Sequence, residues 1–250
     1  MLSVDLNCDL GEGFPHDQSI MPLISSANIA CGFHAGDRDT MRETVELAVN
    51  NKVAIGAHPS FPDKKNFGRT DLTGTSVLPG ETGKIVEEQL VFMREICVEK
   101  NAVLHHVKLH GALYNRAAWD EEVSKYVCDA IVKFDPAILL YGPAGSRMKE
   151  IAESFQLKFI SEAFVDRGYA DDGSLTPRAA QGAMITDQEE SGKQALAIVN
   201  SGKLNALSGK TISVAAETIC IHGDAPGAAS LAKYIHDLLI RNSIAIRPPE

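Results

Sequence analysis

Polar and apolar residues alternate along the first segment of the chain. Val4, Leu6 and Cys8 share one face of an extended strand, and Asp5, Asn7 and Asp9 share the other. The same two-residue period recurs in "HHVKLH", where Val107 and Leu109 oppose His106, Lys108 and His110. It recurs again in "TICIHGD", where Ile219 and Ile221 oppose Cys220, His222 and, if the strand runs on, Asp224. In "FISEAFVD", Glu162 and Asp166 share parity; His34 shares it with Asn28, and His58 with Gly56. Strands are predicted at Val4–Asp9, Asn28–Phe33, Val53–Ala57, Val103–Leu109, Ala137–Tyr141, Lys158–Phe164 and Thr218–His222. Between them the period becomes helical, as in Met41, Val45, Ala48 and Val49, or Val86, Leu90, Met93 and Cys97. Three further apolar faces follow, around Val123–Phe134, Met148–Phe155 and Leu231–Leu239.

Strands alternating with helices predict a parallel sheet with crossover connections. An open sheet covered on both sides would read as near-continuous apolar runs. A polar face on four of seven strands instead fits a barrel lumen whose C-terminal mouth holds an active site. The predicted fold class is α/β, a β/α barrel of seven strands, with residues 1–250 forming one domain.

Composition narrows the function without naming it. A formal net charge of −9 argues against nucleic acid or an anionic membrane as partner. No run of about 18 apolar residues offers a membrane span. The start, "MLSVDLNCDLGE", lacks the basic and apolar regions of a signal peptide. The five cysteines are odd in number and never spaced Cys-x-x-Cys, which suits a reducing cytoplasm rather than a disulfide frame or zinc ribbon. "SGKT" at Ser208–Thr211 ends like a phosphate-binding loop, but Leu204 stands where the first glycine belongs, and a strand, not a helix, follows.

The candidate chemistry falls at strand ends or just beyond. Asp9, His34, His58, Lys108, His110, Asp166, Arg167, His222 and Asp224 are the expected catalytic set, with Asp224 placed to orient His222. Asn7, Glu12, Asp37, Arg69, Tyr114 and Glu162 are the expected substrate contacts, although Asp37 or Asp39 is also a natural cap for the following helix. Asp9, His58 and His110, one carboxylate and two imidazoles from three strand ends, form a sensible open site for a catalytic divalent metal. The same groups equally suit proton transfer without a metal.

Taken in order, "DLNCDLGE", "SANIACGFHAGD", "AIGAHPSFPD", "FGR", "VKLHGALYN", "EAFVDRGYADDGSL", Arg178, "GA" at 182–183 and "CIHGDAPGA" resemble the LamB/YcsF family over nearly the whole chain. Three departures are visible. Leu109 stands where the family has proline, Thr70 where a second arginine is usual, and the loop after Glu12 is short. The resemblance implies a barrel related to polysaccharide deacetylases. It implies a role as the A component of a 5-oxoprolinase, opening 5-oxo-L-proline to L-glutamate with ATP converted to ADP and phosphate. It also implies partner subunits B and C; the lack of a phosphate-binding loop leaves open whether a partner holds part of the nucleotide, and assembly into a homo-oligomer is compatible with the resemblance. Two other readings stand beside this one: a metal-dependent deacetylase of N-acetyl sugars, and a non-catalytic lactam-binding protein that delivers substrate.

Overall fold

The alternating segments become the staves of a closed barrel. In the computed structural model, which describes residues 2–225 and 227–250, the strands are β1 (Ser3–Leu10), β2 (Ser26–Ala30), β3 (Ala54–His58), β4 (Leu104–Lys108), β5 (Leu139–Pro143) and β6 (Phe159–Phe164). A small antiparallel hairpin follows, β7 (Lys203–Asn205) with β8 (Thr211–Ser213), and then β9 (Thr218–His222). Strands β1 to β6 pair in order, all parallel; β9 pairs with both β6 and β1 and closes a seven-stranded parallel barrel. A last short strand, β10 (Ala245–Ile246), pairs with the start of β1. Pro226, inside the last family-like motif, lies outside the described residues, as does Met1.

The helices are α1 (Asp17–Ile20), α2 (Arg38–Asn51), α3 (Thr82–Glu99), α4 (Gly111–Trp119), α5 (Glu121–Phe134), α6 (Met148–Ser154), α7 (Gln188–Ser201) and α8 (Ala228–Arg241). Their apolar faces meet the outward parity of the strands. Leu6, Cys8, Ile29, Val107 and Ile219 are buried there with Val45, Leu90, Val127 and Ile235. No helix among the described residues is long and apolar enough to cross a membrane.

Register fixes what faces inward. Asp9 sits opposite Asn28 on one side and His222 on the other; Asn28 sits opposite Gly56, and Gly56 opposite His106. The lumen is therefore polar, a small apolar group of Leu139, Tyr141 and Ile160 excepted. Its floor is built on Asp5, whose carboxylate accepts from Ser25 (2.6 Å), Ser26 (2.8 Å) and Thr218 (2.7 Å) hydroxyls. Burial pushes the Asp5 carboxyl up even so, the hydroxyls offsetting part of the cost. Two predicted strands are displaced: β5 runs two residues later than expected, at Leu139–Pro143, and β2 ends at Ala30 rather than Phe33, because Gly32 adopts φ +86° and turns the chain out of the sheet.

Candidate active site

At the C-terminal mouth the polar ladder becomes an ionic one. Lys108, 2% exposed on β4, directs its ammonium to Asp9 Oδ1 (2.7 Å), Glu162 Oε1 (3.0 Å) and Cys220 Sγ (3.0 Å), with Asn7 Oδ1 at 3.4 Å. Burial would drive this amine toward neutrality, but Asp9, Cys220 and Glu162 together hold it above the ordinary lysine range. Burial likewise opposes ionisation of Asp9, yet His58 and Lys108 hold its carboxyl well below the usual range. Asn28 Nδ2 adds a third hold, donating to Asp9 Oδ1 at 2.8 Å.

Beneath this pair, Asn7 donates to Glu162 Oε1 (2.9 Å) and Thr218 Oγ1 (2.7 Å), and Tyr114 donates its hydroxyl to Glu162 Oε2 (2.7 Å). Asn7 and Glu162 were expected to touch substrate. They instead lie buried below Lys108, with their polar atoms spent on positioning it. Tyr114 also lines the cleft.

A second cluster adjoins Asp9. His58 donates Nδ1–H to the Lys108 carbonyl (2.8 Å), and His110 donates Nε2–H to the Phe67 carbonyl (2.9 Å). Ser60 gives its hydroxyl proton to the Phe61 carbonyl (2.9 Å) and accepts Nδ1–H of His34 (2.9 Å). Each carbonyl can only accept, so the outward nitrogens carry protons and the inward ones are His34 Nε2, His58 Nε2 and His110 Nδ1. They converge on Glu12 Oε1, at 3.1, 4.0 and 3.5 Å respectively, and His58 Nε2 lies 2.9 Å from His110 Nδ1. Burial, with the neighbouring His110 and His58, pulls His34 far below the usual imidazole range; burial and His58 do the same to His110. Burial beside Asp9 and Asp224 pushes the Glu12 carboxyl well up.

This set differs from the expected trio of Asp9, His58 and His110. Asp9 Oδ1 is engaged by Lys108 and Asn28 while its Oδ2 stays 3.4 Å from His58 Nε2, and Glu12 and His34 bring donors of their own to the cluster.

Two more expectations are corrected. His222 is oriented by Asp166, not Asp224: its Nδ1–H points at both Asp166 oxygens (3.0 and 2.9 Å), and its backbone N–H reaches one of them at 3.2 Å. Burial would raise Asp166, but His222 outweighs it and the carboxyl is lowered. Asp224 instead pairs with Arg69 and lies 3.9 Å from Arg178. Asp37 is exposed and caps α2, accepting from the backbone N–H groups of Asp39 (3.1 Å) and Thr40 (2.9 Å). Replacing it with alanine is expected to lower the midpoint of urea unfolding slightly, as loss of a helix cap does. Turnover should stay within about twofold, because no part of Asp37 reaches the cleft and only the cap is lost.

Above the clusters opens a cleft of about 500 Å³, walled by Trp119, Phe164 and the loop 174–178. With Lys108 at its base, its arginines are Arg69, Arg167 and Arg178. Arg167 is largely buried and donates to the carbonyls of Thr176 (2.7 Å) and Ala183 (3.3 Å), which aims it rather than neutralises it. Burial lowers its guanidinium somewhat, and Arg178 adds repulsion. Arg178 sits in a loop with no periodicity, so only the family-like pattern pointed to it. Cys220 and His106 carried the right parity but were not counted as candidates.

The model of the LamB/YcsF family matches residues 4–250. The chain belongs to the LamB/YcsF family. A protein named as the A subunit of 5-oxoprolinase, from Haemophilus influenzae (strain PittEE), is 46% identical over 246 residues, 98% of this chain and 99% of its own length. One of the same name from Bacillus cereus (strain AH187) is 43% identical, with both chains fully covered. Among solved structures, a lactam utilization protein from Thermus thermophilus superposes with a TM-score of 0.92 at 39% identity, covering 98% of this chain and 99% of that one. A family 4 carbohydrate esterase from Streptomyces lividans shares the fold alone, at a TM-score of 0.51 and 7% identity over 98% of this chain and 91% of its own.

Proposed function

We propose that this LamB/YcsF chain is the lactam-opening subunit of an ATP-dependent 5-oxoprolinase, working with two partner subunits, B and C. The observation that carries the reading is the end-to-end match to proteins named as the A subunit of 5-oxoprolinase. The chemistry of the mouth supports it. 5-Oxoproline carries a carboxylate and ATP a polyphosphate, and the cleft offers Arg69, Arg167 and Arg178 to such anions.

A lactam carbonyl resists water because attack destroys amide resonance. In the proposed sequence the carbonyl oxygen takes the γ-phosphoryl group and ADP departs. Water then adds to the same carbon, giving up a proton to Asp9. The ring C–N bond breaks as a proton reaches nitrogen, leaving a γ-carboxyl phosphate that a second water hydrolyses to glutamate and phosphate. Lys108, held charged at the base of the cleft, faces the developing oxyanion. His222, held by Asp166 on the strand next to that of Asp9, is placed to shuttle a proton beside it. No step needs this chain to enclose the nucleotide alone, which suits the lack of a phosphate-binding loop in its sequence.

The test is conversion of labelled 5-oxoproline to glutamate in an extract that lacks this chain but holds the partner subunits. Conversion is expected only when both the purified chain and ATP are added. Conversion without ATP, or none with the partners confirmed present, contradicts the proposal.

A further inference from the structure

We propose that Glu12, His34, His58 and His110 form a binding site for one transition-metal dication, with zinc the preferred ion. The four residues reach one point from four segments: the turn after β1, the loop after β2, the end of β3 and the start of α4. All four are buried, and their donor atoms lie within 4.8 Å of one another.

Three features together exceed what a hydrogen-bonded histidine cluster needs. The N–H of every ring is committed away from the centre, to the carbonyls of Lys108 and Phe67 and to the Ser60 hydroxyl. Such outer partners are how proteins fix the tautomer of a ligating imidazole. The 2.9 Å approach of His58 Nε2 to His110 Nδ1 calls for a cation, either a proton shared between the two rings or a metal ion bound to both. A metal ion at the centre would take both lone pairs as ligands. Finally, the spacing fits: ligand atoms at the usual bond lengths of about 2.1 Å around a tetrahedral ion lie about 3.4 Å apart. The contacts present run from 2.9 Å through 3.1 and 3.5 to 4.0 Å.

Three imidazoles and one carboxylate are borderline donors that suit zinc or its first-row neighbours rather than magnesium or calcium. His34 and His110 stack with ring centroids 3.8 Å apart, so the pair must splay slightly as both nitrogens turn to one ion. Bound there, the ion would act as a Lewis acid at the floor of the cleft, next to Asp9. The inference does not depend on the lactam reaction, since it is read from metal content without substrate.

The experiment strips the purified chain with a chelator and returns Zn²⁺ or Co²⁺ separately. Bound metal is counted by elemental analysis and titration calorimetry, and the Co²⁺ form by its visible spectrum. One ion per chain is expected, with a Co²⁺ absorption that disappears in His34→Gln and His110→Gln. Ser60→Ala, which frees His34 to turn, should weaken affinity about tenfold or more, and His236→Gln on α8 should leave it unchanged. A folded wild-type chain that holds neither ion stoichiometrically overturns the proposal. So does unchanged affinity in folded His34→Gln and His110→Gln. Should the glutamine variants fail to fold, the wild-type titration and Ser60→Ala decide.

Discussion

Replacing Lys108 by methionine is expected to lower 5-oxoproline turnover at least about a thousandfold, the upper range for removing one preorganised stabiliser of a developing oxyanion. The same change should destabilise the fold by about 3–5 kcal/mol, because it leaves a buried carboxylate without its counter-ion. The two effects separate in a double variant. Adding Glu162→Gln removes one of the two carboxylates that Lys108 holds, so part of the stability should return in urea unfolding. Activity should not return, since the cation that faces the substrate is still missing. If Lys108→Met alone keeps near-normal turnover, Lys108 is a structural ion-pair partner and the oxyanion assignment fails.

Gly56→Ala is expected to be the most damaging small substitution in the barrel. A Cβ at Gly56 would lie 2.5 Å from His106 Cε1 and closer still to Nε2 and Cδ2, so it would overlap the ring. The ring has nowhere to retreat: it stacks on Tyr141 at 4.1 Å and its Nε2 meets Asn28 Oδ1 at 2.8 Å. Asn28 in turn donates to Asp9 and Asn7, so displacement of His106 spreads to the Asp9 carboxylate. Overpacking of this kind costs about 1–3 kcal/mol and sometimes more, and here the loss should fall at the upper end. Thermal melting measures it. The companion His106→Ala in the Gly56→Ala background should recover stability, since it vacates the volume the new methyl group needs; no recovery would place the clash elsewhere.

How much of this was legible in the sequence differs by element. In β1 and β9 the alternation is strict, and the lumen-facing Asp5, Asn7, Asp9, Cys220 and His222 could be read from parity alone. In β2 it was not, because "IACGF" continues apolar past the point where Gly32 leaves the sheet. His34 therefore reaches the mouth from a loop, and its parity with Asn28 is incidental. Asp224, two residues from His222 in sequence, was the one expected to orient it; only the pairing of β6 with β9 puts Asp166 beside its ring. Helix α7 went unread although Asp187 and the acidic pair Glu189 and Glu190 mark its start, since a long glycine-containing loop precedes it without periodicity. The Glu12 cluster was hidden for a different reason. Its four members are contributed by four separate segments, and their tautomers depend on carbonyls that no pattern of side chains reveals.

The claim that the lactam is opened in this barrel, rather than delivered by it, is tested most directly by Asp9→Asn assembled with the partner subunits. The variant keeps the size of the side chain and should still assemble. Glutamate formation is measured at saturating ATP and 5-oxoproline, alongside 5-oxoproline binding. The expected result is a fall in turnover of about 10²–10⁴, the range for losing a general base, with assembly and binding largely kept. Turnover at the wild-type rate by a complex that contains the Asp9→Asn chain would contradict the account and leave this chain a carrier of substrate.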